Sequence, residues 1–424
     1  MSSKITRALP ELVENGIITA ETAQKITAYY EKPASENSNK LFIIFGILGA
    51  TLVGLGIILI MAHNWDDLPK FVKLILAFLP MLIGQAGLAY SIVKNKGMVW
   101  KETATVFLFF SVGACIALVS QIYHISGNLE SFLLAWIILC APLLYLTKSK
   151  AAIFLHLIFC TYYAIVTGYG FNVKTSPLFY FALLSTCIPR YLELMKQKTP
   201  SAATFILHWL FPISLLISLP VCVEQSPQIT YILYMTVFGL LFNIGQLSYF
   251  KNTSLLQNGY KVTGTIGTLI LLLILSFHGV WDFAFQNNFI GMIEVISVGV
   301  FFIAAGITFL MSRQQQNTKM PNVLQLIFFV FGIIFLIGAS DTITATVLVN
   351  ILLFVIGIMQ IKLGTDKLHF GFLNLGMLII AALIVCRFYD TDINFAIRGI
   401  IFVSIGIGFF ITNYIMYKKQ QIKK

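Results

Sequence analysis

In a chain that is 58% hydrophobic and 11% charged, the residues best placed to do chemistry are the polar side chains within or against apolar runs. Burial in lipid is costly for such groups, so they face a protein interior or water. A set of them is expected at one level: His63, Asp66 and Asp67, then Gln121 and His124, then Glu294, and finally Arg387, Asp390, Asp392 and Arg398. His278 and Asp282 belong to the same level. Carboxylates, imidazoles and guanidinium groups around one pocket would bind a polar head group or sugar, or exchange protons with it. For any single residue a plainer explanation competes, because the wet ends of membrane helices tolerate charge. Asp67, before Leu68 and Pro69, has the form of an N-cap with proline in the first turn, and Asp392 could cap the helix after it. Glu294 resists that explanation, because it interrupts NFIGMIEVISVGVFFIAAG about two turns past the expected helix start. Arg387 and Arg398 are its candidate partners by level.

Other chemistries find little support. No G-x-S-x-G, H-E-x-x-H, Walker loop or dinucleotide fingerprint occurs. The cysteines (Cys115, Cys140, Cys160, Cys187, Cys222 and Cys386) lie in or at the ends of apolar segments without a C-x-x-C pair, which argues against a disulfide or metal site. His156 and His208 are too sparse to hold a metal, so neither metal nor cofactor is expected. Arg190 and Glu193 are i, i+3 neighbours and should pair, while Asn243, Gln246 and Asn350 read as interhelical hydrogen bonders. Gly46, Ala50 and Gly54 stand at i, i+4 and i+8, leaving one side of a helix nearly bare, a surface for close packing of a second helix.

The elements that must position these residues are membrane helices. Fourteen apolar stretches are expected at 41-62, 70-93, 104-124, 131-147, 151-169, 177-195, 202-222, 229-249, 262-280, 288-311, 322-339, 343-362, 370-388 and 395-416, most near the roughly 20 residues that cross a bilayer. Basic residues fall in every second gap. Alternate segments, from Met1–Lys40 to the C-terminal tail, hold 23 of the 28 Lys and Arg, and the other face has only Lys70, Lys73, Lys174, Arg387 and Arg398. Basic segments stay in the cytoplasm, so both termini are expected there. The net charge of +11 is thereby a topology signal that favours anionic inner-leaflet lipid over nucleic acid. Before the bundle (41–416), residues 1–32 read as a cytoplasmic helical hairpin: Gly16 closes one helix, Thr19 opens the next, and 33–40 is a polar linker. Residues 417–424 form a basic tail. The polar start excludes a cleavable signal peptide, so the first span should serve as its own insertion signal.

Several segments resemble a known family: LVENGIITAETAQKITAYY, GILGATLVGLGIILIMAHNWDDLPKFVKL, QIYHISGN with AWIILCAPLLYLTKS, and the C-terminal RFYDTDINFAIRGIIFVSIGIG. They are similar to domain of unknown function 2157, a group of predicted bacterial membrane proteins, over residues 8 to 150 and more patchily beyond. The resemblance implies a helical fold and a bacterial inner-membrane location, and assigns no activity or site residue. The expectation is therefore an all-α polytopic bundle surrounded by membrane lipid. Its best functional reading is transporter or flippase-like binding of a small polar or amphipathic solute in an extracytoplasmic-facing cavity. The alternatives are a membrane enzyme acting on a lipid-linked substrate at the outer face, and a sensor or assembly partner docking through the hairpin.

Overall fold

The computed structural model describes residues 9–31, 44–49, 51–53, 55–56, 59, 68–169, 178–197, 200–223, 226–286, 291–316, 322–390 and 395–422, which contain helices and connecting turns and no strand. The chain divides into two compact units, Met1–Ile153 and Phe154–Lys424.

The first unit begins with α1 (residues 9–14). Gly16 ends it at φ +67°, with the Gly16 amide on Val13 O and the Ile17 amide on Leu12 O, both at 3.0 Å. This paired closure puts the last carbonyls to use and needs the left-handed backbone that glycine adopts freely. Thr19 Oγ1 accepts the Thr22 amide at 3.3 Å and so opens α2 (Ala20–Glu31). Then come α3 (44–49), α4 (Lys70–Val93), α5 (Met98–Ile122), α6 (Leu129–Cys140), α7 (Leu143–Leu146) and the start of α8 (Lys150–Gly168). Asn128 caps α6 by accepting the Ser131 amide at 2.9 Å. Trp136 of α6 lies over Gly113 of α5 and donates its indole N–H to Phe109 O at 2.8 Å. The indole thereby satisfies its polar edge while burying its body.

After the rest of α8, the second unit comprises α9 (Phe179–Ser185), α10 (Ile188–Met195), α11 (Ala202–Ser218), α12 (Pro227–Ile244), α13 (Gly259–Ile274), α14 (His278–Ala284), α15 (Met292–Gln316), α16 (Val323–Gly338), α17 (Thr342–Asp366), α18 (Phe370–Asp390) and α19 (Phe395–Ile422). Its core joins Met235, Phe238 and Phe242 of α12 to Leu272, Trp281, Phe331, Val349 and Leu353. α17 and α18 approach so closely that a Cβ on Gly376 would lie 2.6 Å from Gly357 O.

Apolar side chains face outward along these helices, as at Leu336 (72% exposed) and Phe410 (81%), while Thr236, Asn243 and Gln325 are buried. That inversion suits a solvent of hydrocarbon, where every backbone polar group must be satisfied within a helix. Nine helices among the described residues are long and apolar enough to cross a membrane, or ten when α13 and α14 count as one bent span. This is short of the fourteen expected, though each expected segment contains helix. The sixth splits into α9 and α10, where Pro189 sits in the first turn of α10 and restarts the helix. The eleventh has only 16 residues, and the first lies partly outside the described residues.

Candidate functional site

The ninth expected span breaks between α13 and α14 with a bend of 91°. A break strands carbonyls that an unbroken helix would use, and here long side chains meet them. Trp281 Nε1 donates to Leu275 O at 2.7 Å. Ser276 O accepts from Arg387 Nη2 at 2.7 Å and from Asn350 Nδ2 at 3.0 Å. The guanidinium also stands 5.1 Å from the centre of the Phe277 ring, a cation–π distance. Beyond the break, Thr342 Oγ1 donates to Asp282 Oδ1 at 2.8 Å, His278 Nδ1 lies 3.1 Å from Asp282 Oδ2, and His278 Nε2 lies 3.2 Å from Thr342 Oγ1. Because the threonine hydrogen is committed to Asp282, the three contacts form together only when both ring nitrogens carry hydrogen. The His278 and Asp282 side chains are 42% and 48% exposed, so water reaches this triad. Asp341, next to it, caps α17. The Thr344 hydroxyl and amide, the Ile343 amide and the nearby His278 hold its carboxyl below the usual range.

Glu294 sits differently from the expectation. α15 starts at Met292 rather than near 288, so Glu294 falls in the first turn. It is fully buried and accepts the Gly291 amide at 3.0 Å and the Ser226 amide at 3.2 Å. Those amides belong to the residues preceding α15 and α12, so one carboxylate serves two helix N-termini, where the dipole favours negative charge. Ion pairs among the described residues are Lys25–Glu21, Arg190–Glu193 and His278–Asp282, and none links Glu294 to Arg387.

Gln121 and His124 are exposed at the end of α5 in the first unit, with His124 at φ 51°. Asp390 ends α18 and Arg398 lies in the first turn of α19. His63, Asp66, Asp67 and Asp392 lie outside the described residues, as do Ala50 and Gly54. A Cβ on Gly46 would lie 3.1 Å from Thr103 Oγ1, which brings α3 against α5. His156 Nε2 meets Thr186 Oγ1 at 2.8 Å, and His208 Nδ1 meets the Tyr191 hydroxyl at 2.6 Å. Arg190 and Glu193 pair at 2.5 Å, and Asn243 Nδ2 reaches from α12 to Gln325 O of α16 at 3.1 Å.

Two features escaped the sequence reading. Glu102, 4% exposed, accepts the Lys150 amide at 2.7 Å, the Ala151 amide at 2.9 Å and the Ser149 hydroxyl. It thus caps α8 from α5. The only signal in the sequence is a carboxylate at a helix start opposite a Lys-Ser-Lys turn.

The second is a cavity of about 540 Å3 in the second unit. It lies where α13, α16 and α18 begin and α12 and α17 end, at the opposite end of α13 from the break. Lys261, Lys367 and His369 line it with Gln246, Asn322, Gln325 and Gln360, over an apolar wall that includes Phe242, Leu363 and Leu375. None of these lining residues is acidic. Gln360 is 5% exposed, and its Oε1 is buried without a hydrogen-bond partner. Three helix starts and two helix ends nearly offset as dipoles, which leaves the lysines to set the sign. The sequence leads to an extracytoplasmic cavity, whereas this one lies at the end flanked by basic segments.

No curated protein and no solved structure matches the chain. Residues 10–153 match the family described as "Predicted membrane protein (DUF2157)", and that match ends at the residue where the first compact unit ends.

Proposed function

We propose that this chain is a transporter or flippase-like protein of the bacterial inner membrane, with both termini cytoplasmic. Its solute is amphipathic, and it binds in the cavity between Lys261 and Lys367. The observation that carries this reading is the cavity itself. Its volume falls in the range of about 300–1,000 Å3 typical of small-molecule sites, and it combines an apolar wall with polar residues, Lys261, Lys367 and His369 among them. The basic residues that line it favour the cytoplasmic face by the same charge rule that orients the helices. The test is translocation of a fluorescent single-chain amphiphile in proteoliposomes. Protein-dependent loss of the protected pool, abolished when Thr265→Trp fills the cavity, is expected. No protein-dependent movement would remove the transport reading.

A further inference from the structure

We infer that the cavity selects an amphiphile whose head is a compact oxyanion, a carboxylate or phosphate monoester, carried on a hydrocarbon chain. This rests on the proposed cavity reading and adds the ligand's charge. Lys261 and Lys367 line the same cavity, and neither has a carboxylate partner among the described residues. Two ammonium groups facing one space repel, and an anion between them converts that repulsion into two attractions. His369 adds a third nitrogen-bearing side chain at the same rim. Its Nδ1 already accepts the Gly371 amide at 3.1 Å, which leaves Nε2 as the donor. A compact head group such as a phosphate monoester would meet the lysines through its charged oxygens. Phe242, Leu363 and Leu375 offer the chain an apolar surface. A cation would meet only like charge, and a neutral sugar would leave the lysines uncompensated.

The experiment measures binding of radiolabelled dodecyl phosphate and laurate to the full chain in nanodiscs of neutral lipid. Dodecyl maltoside, dodecyltrimethylammonium and inorganic phosphate serve as competitors. Both anions should bind. The double variant Lys261→Gln with Lys367→Gln should weaken them at least tenfold, the Lys-to-Arg pair should restore them, and the cation should not compete. If neutral and anionic chains bind equally and the double variant changes nothing, the oxyanion inference falls while the cavity reading stands. If inorganic phosphate alone displaces the ligand at equal concentration, the site takes a free anion and the amphiphile part is overturned. If Thr265→Trp leaves binding intact, the cavity reading falls with it. Thermal melting of each variant separates loss of binding from loss of fold.

Discussion

Glu102→Ala offers a local readout of how the first unit holds α8. The carboxylate satisfies the amides of Lys150 and Ala151 and takes the Ser149 hydroxyl, and Glu102 and Ser149 are both buried. A hydrogen bond to a charged group is worth about 1.5–3 kcal/mol, and an amide left unsatisfied in a buried place costs about 1–3 kcal/mol. The three bonds share one carboxylate. Ser149 also retains a second role, accepting the Ala152 amide at 3.1 Å, so the losses overlap. A net cost of about 2–4 kcal/mol follows, compared with about 1–2 kcal/mol for Glu102→Gln, which keeps one acceptor. At tenfold per 1.4 kcal/mol, exchange of the two amides should accelerate by tens to hundreds of times in the alanine variant. The assay is hydrogen exchange by mass spectrometry in nanodiscs, resolved to the start of α8, with α6 as the internal reference. Unchanged protection of Lys150 and Ala151 would refute the cap. An equal loss throughout α6 and α8 would show a global role in its place.

Arg387→Ala should release Ser276 O at the helix break, costing about 1.5–3 kcal/mol, and shift the emission of the buried Trp281 on α14; an unmoved spectrum and melting point would mean that Asn350 and Trp281 hold the break alone. Asp341 has its carboxyl depressed in the fold, so its contribution is complete above the ordinary carboxylate pKa of about 4 and is lost as pH falls below that value. Asp341→Asn should therefore flatten the acid limb of a melting-temperature profile while leaving the neutral region parallel to the parent chain; an unaltered acid limb would contradict this. Reporter fusions after Lys198 should be cytoplasmic and after Ser126 external, and the reverse at either point would invert the face assigned to the cavity.

The helices were legible because apolar runs of the right length alternate with basic gaps, a pattern the bilayer imposes on any chain that crosses it. Their breaks were only half legible. Pro189 announces the restart at α10, because proline fits a first turn and not an interior. The 91° bend at Ser276–Phe277 has no proline. It is stabilised by Arg387 and Asn350, which lie 111 and 74 residues farther along the chain, and no local pattern encodes donors so distant. Hydropathy sets Glu294 too deep for a similar reason, since it marks where a run is apolar rather than where its first turn closes. Glu102 went unnoticed because its partners are main-chain amides, which every sequence has everywhere.

The lysines show why a site can hide inside a topology signal. Lys261 and Lys367 count among the basic residues that orient the bundle, and that role is fulfilled by any cation near a helix end. Orientation alone does not require two of them to line one cavity whose lining holds no carboxylate. Two ammonium groups at one cavity cost stability, and a bound anion would recover it. They also lie outside residues 10–153, the part that matches the family. The match covers the unit that carries the Glu102 cap. The solute chemistry proposed here belongs to the rest of the chain and does not follow from family resemblance. Loss of anion binding in the Lys261 and Lys367 variants with unchanged exchange at Lys150 would separate the two experimentally, whereas coupled loss would show that they act as one.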